Sequence, residues 1–272
     1  MKAVRQHPPG GLASLVYEEV ETPQPGPDEA LVRVHAAAIT RGELDWPSER
    51  LPATPSYELS GVVERVGAGV DDVEVGEEVY ALGDFDRDGA AAEFTLVRSN
   101  FLAPKPRNLD HVESAAIPLA ALSAWQGLFV HGRLEEGQRV LIHGAAGGVG
   151  HLAVQLARSR GAGVAATFEE VDGGVDLVFD TAGGERLERS LAALHPGGRL
   201  VSIAAEPPSA PGITSVYFVV APSREQLVEL AGLVERGELR PTVAEVFELA
   251  EAREAFERLE QRPRGKIVLR VV

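Results

Sequence analysis

The stretch Val140-Leu141-Ile142-His143-Gly144-Ala145-Ala146-Gly147-Gly148-Val149-Gly150-His151 decides how this chain folds. The apolar run Gln138–His143 predicts a short buried strand. Gly148–Arg160 predicts a helix, because Val149, Leu152, Ala153 and Leu156 fall at i, i+3, i+4 and i+7 spacing. Between them lies a turn of small residues. A helix start offers free N–H groups and the positive end of its dipole to a pyrophosphate, and small residues let the backbone come close. The fingerprint is incomplete: Ala145 stands where its first glycine belongs, leaving Ala145-x-Gly147-x-x-Gly150. The turn is therefore either a dinucleotide loop or plain strand-to-helix punctuation.

Outward from this loop the chain alternates strand and helix. Apolar strand candidates follow at Gly163–Thr167, Val175–Asp180, Arg199–Ile203 and Ser215–Val220, while His111–Gly132 has helical character. Strands alternating with helices imply a parallel sheet covered on both faces. A further helix is expected over Ser223–Arg236, with Ser223 as N-cap and Gln226 at its third position, and a last strand over Lys266–Val272. The first 120 or so residues differ. Ala30–Ala36, Gly61–Val66 and Glu77–Leu82 alternate as half-buried strands do, with Gly, Pro and Asp between them. Two domains are expected: a β-rich one over residues 1–118 with a C-terminal return over 223–272, and a parallel-sheet one over 119–222.

Composition sets outer limits. With 272 residues, 44% hydrophobic and 25% charged, the chain has the balance of an ordinary globular protein. Its net charge of −15 disfavours nucleic acid and anionic lipid as partners. Cysteine is absent, which excludes disulfides, a catalytic thiol and thiolate metal sites. No apolar stretch has the length of a signal peptide or membrane span, so a cytoplasmic protein is expected. Residues 64–93 carry ten acids against two arginines, the pattern of a solvated face.

Several motifs together resemble the medium-chain dehydrogenase/reductase superfamily, and within it the zinc-independent quinone oxidoreductase (zeta-crystallin-like) branch. They are Ala145-Ala146-Gly147-Gly148-Val149-Gly150 followed by Ala153-x-Gln155-x-Ala157; Asp176-Leu177-Val178-Phe179-Asp180-x-x-Gly183-Gly184; Gly197-Gly198-Arg199-Leu200-Val201; and Gly265-Lys266-Ile267-Val268-Leu269. In the N-terminal part, Pro55-x-x-Glu58-x-x-Gly61-Val62-Val63 and Gly89-Ala90-Ala91-Ala92-Glu93-Phe94 resemble that family's GroES-like catalytic domain. The resemblance implies an α/β protein: a GroES-like β-rich domain plus a Rossmann doubly wound parallel sheet.

It also implies an activity. The expectation is an NADPH-dependent reductase (NADH not excluded) passing hydride to a quinone or an α,β-unsaturated carbonyl. The alternatives are an enoyl reductase on carrier-bound acyl or polyketide chains, and a non-catalytic NADPH-binding, crystallin-like protein. Where zinc-dependent relatives carry Gly-His-Glu, this chain reads Ser56-Tyr57-Glu58. A neutral phenol is a poor zinc ligand and no thiolates exist, so no metal is expected. The enzyme would then stabilise developing oxyanion charge with hydrogen-bond donors. The family's Asn-x-x-Asp element corresponds to Thr40-Arg41-Gly42-Glu43, so Thr40 and Glu43 are candidate catalytic residues. Tyr57 is a candidate proton donor or plain packing. For the cofactor, the loop residues Ala145, Ala146, Gly147, Gly148, Val149 and Gly150 are joined by Ser123, Thr181, Gly183, Ile203, Phe218 and Val219. Lys266 matches the family's lysine near the adenosine 2′-phosphate. Ser215–Val220 is expected as an apolar sheet edge, the basis for a homodimer.

One feature departs from the family. Only residues 168–174 separate the second and next strand candidates, where a crossover helix, a strand and a 2′-phosphate loop normally lie. A parallel crossover usually takes a dozen or more residues, and seven extended residues reach roughly 25 Å. Either a segment is missing between Thr167 and Phe168, which predicts a break there, or the protein itself is trimmed. In the second case the sheet survives without its edge strand, in the order 2-1-4-5-6.

Overall fold

The computed structural model describes residues 1–46 and 49–272, which divide into two compact units. The first comprises Met1–Leu119, Pro222–Glu235 and Pro241–Val272. Its N-terminal elements are β1 (Lys2–Gln6), β2 (Leu15–Glu19), β3 (Glu29–Ile39), β4 (Glu58–Val66), β5 (Glu78–Leu82), β6 (Phe94–Arg98), β7 (Ala103–Pro104) and the short helix α1 (His111–Ala115). β3 is central, antiparallel to both β4 and β6, and its alternating Ala30, Val32 and Val34 enter a core with Val63, Val79 and Val97.

The second unit, Ala120–Ala221 with Arg236–Arg240, takes most of α2 (Pro118–Trp125). It then runs β8 (Arg139–His143), α3 (Gly150–Ser159), β9 (Gly163–Ala165), β10 (Val175–Asp180), α4 (Glu185–Arg189), β11 (Leu194–Ser202) and β12 (Thr214–Tyr217). Its strands pair in parallel in the order β12-β11-β10-β8-β9. The chain then returns to the first unit through α5 (Arg224–Glu235), β13 (Val243–Glu248), α6 (Ala252–Glu260) and β14 (Lys266–Arg270). β14 lies antiparallel to β3, with Ile267 opposite Ile39.

Three expectations need correction. His111–Gly132 is not one helix. Pro118 supplies no N–H to continue α1, so α2 starts afresh, and Gln126–His131 widens into a π-type turn. There Gly127 lies against the Phe179 ring, where a Cβ would approach within 2.3 Å. The strand expected over Ser215–Val220 ends at Tyr217, because its partner β11 ends opposite at Ser202.

The third correction concerns the short connection. The chain passes without a break from Thr167 into a single 3-10 turn, Phe168–Glu170, closed by the Glu170 N–H donating to the Thr167 carbonyl. The sheet has the trimmed order. The crossing is short because β9 has three residues and little distance must be retraced. The Arg139 guanidinium on β8 donates to the carbonyls of Glu170, Asp172 and Gly174, strapping the connection to the sheet. Phe168 packs into the apolar cluster of Leu141, Val178 and Leu200, filling space a crossover helix would cover.

Candidate active site

The carboxyl edge of the parallel sheet is set by register. His143, Asp180, Ser202 and Tyr217 lie in one row across β8, β10, β11 and β12. Every residue named for the cofactor except Ser123 and Lys266 follows that row, at the edge where open α/β sheets bind ligands. Gly144 turns the chain at φ +78°, and Gly147 N–H closes the turn on the Gly144 carbonyl at 2.8 Å. A Cβ on Gly150 would sit 2.1 Å from the Gly144 carbonyl oxygen, so only glycine lets the helix start this close to the loop. No side chain caps the start of α3, no acid lies in its first turn, and residues 144–149 are partly open to solvent. A helix start left uncapped by side chains fits a pyrophosphate.

Buried Asp180 organises the neighbouring loop. Its carboxylate accepts from the Gly183 N–H and the Ser202 hydroxyl, and that hydroxyl in turn accepts from the Ala204 N–H. The Thr181 hydroxyl donates to the His143 carbonyl at 2.7 Å, joining this loop to the glycine turn. Ile203 is half-buried just beyond Ser202. Phe218 packs on His131 at 4.4 Å between ring centres, whereas Val219 is exposed. Ser123 is buried within α2.

In the first unit, Thr40, Glu43 and Tyr57 are gathered around the start of β4. The Glu43 carboxyl accepts from the backbone N–H groups of Thr40 and Ser56, which pins the turn Glu43–Asp45 to the segment before β4. Burial pushes Glu43 up to about 8, with the Lys266 ammonium opposing. Ser56 has φ +69°, uncommon for a residue with a Cβ, and its hydroxyl donates to the Ala38 carbonyl. This backbone aims Tyr57 among Trp46 and Phe85, with ring centres 5.7 and 5.3 Å away. The Tyr57 hydroxyl is enclosed and, among the described residues, finds no hydrogen-bond acceptor. Burial pushes its phenol up, opposed by the Arg50 guanidinium.

Lys266 is the main correction among the site residues. It is 5% exposed, its Nζ lies 2.5 Å from the Glu58 carboxylate, and it donates to the Thr40 hydroxyl oxygen at 2.8 Å. An ammonium committed to two internal partners is not a free contact for a 2′-phosphate. Glu58 also accepts from the Leu119 N–H at the start of α2, so its charge meets a helix dipole as well. The sequence reading missed Glu58, Trp46, Phe85 and Arg50 as members of this cluster. The glutamate inside Ser56-Tyr57-Glu58 was the available signal. Among the described residues no group of three or more His, Asp or Glu side chains is placed to hold a metal ion, and no helix is long and apolar enough to cross a membrane.

A parallel sheet with an uncapped helix start at its carboxyl edge, carried by a chain that also folds a β-rich unit with an N-terminal β3–β4 core, fits the class of two-unit oxidoreductases that bind a nicotinamide coenzyme. Residues 26–107 match the alcohol dehydrogenase GroES-like domain, and residues 155–269 match the zinc-binding dehydrogenase domain. A probable zinc-binding oxidoreductase, mitochondrial, from Arthroderma benhamiae is 30% identical, covering 100% of this chain and 97% of that protein. That alignment runs over 323 positions, more than the 272 residues here, so the relative has internal segments that this chain lacks. The NADPH-dependent alkenal/one oxidoreductase, chloroplastic, of Arabidopsis thaliana is 31% identical over 96% of this chain and 77% of its own. The structure of the quinone oxidoreductase from Coxiella burnetii superposes with a TM-score of 0.90 at 27% identity, covering 100% of this chain and 99% of that one. The chain belongs to the medium-chain dehydrogenase/reductase superfamily.

Proposed function

We propose that this protein is a zinc-independent reductase of quinones or α,β-unsaturated carbonyls that uses NADPH and works as a homodimer in the cytoplasm. The observation that carries the reading is the turn at Ala145–Gly150, which leads into a helix start that no side chain caps and whose Gly150 permits no Cβ. Its residues would hold the pyrophosphate, with Thr181, Gly183 and Ile203 along the same edge. When bound, the reduced coenzyme supplies the hydride.

The chain's own residues divide the remaining work. Thr40 and Glu43 are fastened to backbone and to Lys266, and they hold the turn in place. Tyr57 is assigned as the donor to an oxyanion developing on the acceptor, a role supported by an O–H that has no acceptor among the described residues. Metal-free chemistry is supported by the phenol at position 57 and by the absence of cysteine. NADPH is taken from the name of the Arabidopsis relative, and Lys266 has no part in that choice. A homodimer is supported by β12 at the edge of the parallel sheet, with Tyr217 exposed on it. The first unit is assigned as the catalytic domain and the second as the dinucleotide domain.

The test is oxidation of NADPH and of NADH with quinone, enone and carrier-bound enoyl acceptors, beside calorimetry of each coenzyme. Coenzyme binding with turnover of free quinones or enones is expected. Turnover restricted to carrier-bound chains would replace this reading by the enoyl reductase. Binding with no turnover of any acceptor would make the protein a non-catalytic binder.

A further inference from the structure

Trp46 closes the turn that Glu43 opens, its N–H donating to the Glu43 carbonyl at 3.2 Å. The Glu43 side chain clamps that same turn to Ser56, one residue before Tyr57. The indole is therefore held from both ends of the clamp, and the Tyr57 ring lies beneath it at 33°. Phe85 meets Trp46 edge-on, at 83° and 5.2 Å, and fills the angle between the two. The Arg50 guanidinium fixes the Phe85 segment by donating to the carbonyls of Phe85 and Arg87. Despite these three supports the indole is 43% exposed.

A scattered surface tryptophan is common and calls for no explanation. This one is different in being braced by two rings and a buried carboxyl while part of its surface stays uncovered. A pre-set indole held over a buried phenol presents a flat, electron-rich surface. Its complement is a flat, electron-poor ring.

We infer that Trp46 is the specificity-determining residue of this site, stacking on a planar conjugated acceptor such as a quinone and favouring it over aliphatic enones. The inference rests on the reductase reading for its catalytic meaning, but ring binding can be measured without any turnover. Trp46 and Trp125 are the two tryptophans of the chain, so Trp125→Phe leaves Trp46 as the sole indole reporter. Should Trp125→Phe not fold, the emission difference between the parent and Trp46→Phe isolates the same indole.

The experiment titrates menadione, and separately methyl vinyl ketone, into coenzyme-free protein while Trp46 emission and lifetime are followed. Saturable quenching by menadione with unchanged lifetime is expected, and none by methyl vinyl ketone. In steady state, Trp46→Leu is expected to lower the kcat/KM ratio of menadione over methyl vinyl ketone roughly three- to tenfold, the worth of one aromatic pair. Trp46→Phe is expected to restore most of that ratio. Unsaturable quenching, or a ratio unchanged in Trp46→Leu, overturns the inference. Saturable quenching without turnover of either acceptor upholds ring binding and sinks the reductase reading instead.

Discussion

The Lys266 ammonium and the Glu58 carboxylate stand 2.5 Å apart, joining β14 to β4 with both side chains closed off from water. Isolating the Glu58 charge there is costly, since solvent cannot replace the lost partner. Lys266→Met is expected to destabilise the protein by about 3–5 kcal/mol in urea unfolding. Glu58→Gln added to it should recover much of that loss, because the neutral amide still accepts from the Leu119 N–H. A double variant no more stable than Lys266→Met would show that the ion pair is not what holds these strands.

Glu43 sets a pH dependence of definite sign. Its folded-state value of about 8 lies above the ordinary 4.5, so the folded chain keeps a proton that the unfolded chain releases. Stability from this group is complete below about 4.5 and declines as pH rises through about 8. Glu58 and the Lys266 ammonium face it, and Glu58 is also pushed up by burial, so part of the slope belongs to Glu58. Glu43→Gln carries no titrating proton. The fall in unfolding free energy between about pH 5 and about pH 8 should be visibly shallower in that variant than in the parent.

The opposite sign operates at His111. Its ring stacks on His35 at 4.2 Å, and its Nδ1 lies 2.8 Å from the Ser60 hydroxyl. Burial first, and then the charge on His35, draw His111 from 6.5 down to about 4, while Glu78 pulls upward and Lys105 downward. The unfolded chain therefore takes the proton first. Stability is complete above about 6.5 and is lost as pH falls toward about 4. His35→Gln removes the like charge, and the His111 midpoint, followed by imidazole NMR, should move upward. A midpoint that stays in place would show that burial alone sets it.

What could be read from the sequence divides along the range of the interactions. The glycine turn was legible because strand, turn and helix are neighbours in the chain, and His143 and Asp180 were placed at their strand ends, whereas the third strand was read one residue too far, to Ile203. The seven residues 168–174 left two readings open, a missing segment with a break after Thr167 or a trimmed sheet, and the continuous chain has the trimmed order. How these residues cross was not legible, because it depends on the Arg139 guanidinium reaching three carbonyls from a neighbouring strand. Lys266 was misread for a similar reason. Its contact with Thr40 spans 226 positions and exists only because β14 pairs with β3, which no local pattern reveals. β13 escaped notice because its residues are half-exposed or exposed and Glu245 and Glu248 interrupt it, leaving a weak apolar signal.

The glycine turn gives the sharpest contrast between two small substitutions. At Gly150 an added methyl meets the Gly144 carbonyl oxygen at 2.1 Å, a backbone atom that cannot swing aside, so loop and helix must separate. At Gly147 the same methyl meets that oxygen at 3.2 Å, which a displacement of a few tenths of an ångström relieves. Gly150→Ala is therefore expected to destabilise the protein by about 1–3 kcal/mol, the ordinary range for overpacking. It should also weaken NADPH binding in calorimetry roughly tenfold or more, since amides moved by even a fraction of an ångström no longer converge on one diphosphate. Gly147→Ala should keep its thermal midpoint near that of the parent. If Gly150→Ala binds coenzyme as the parent does, the diphosphate does not rest on this helix start, and the dinucleotide reading fails with it.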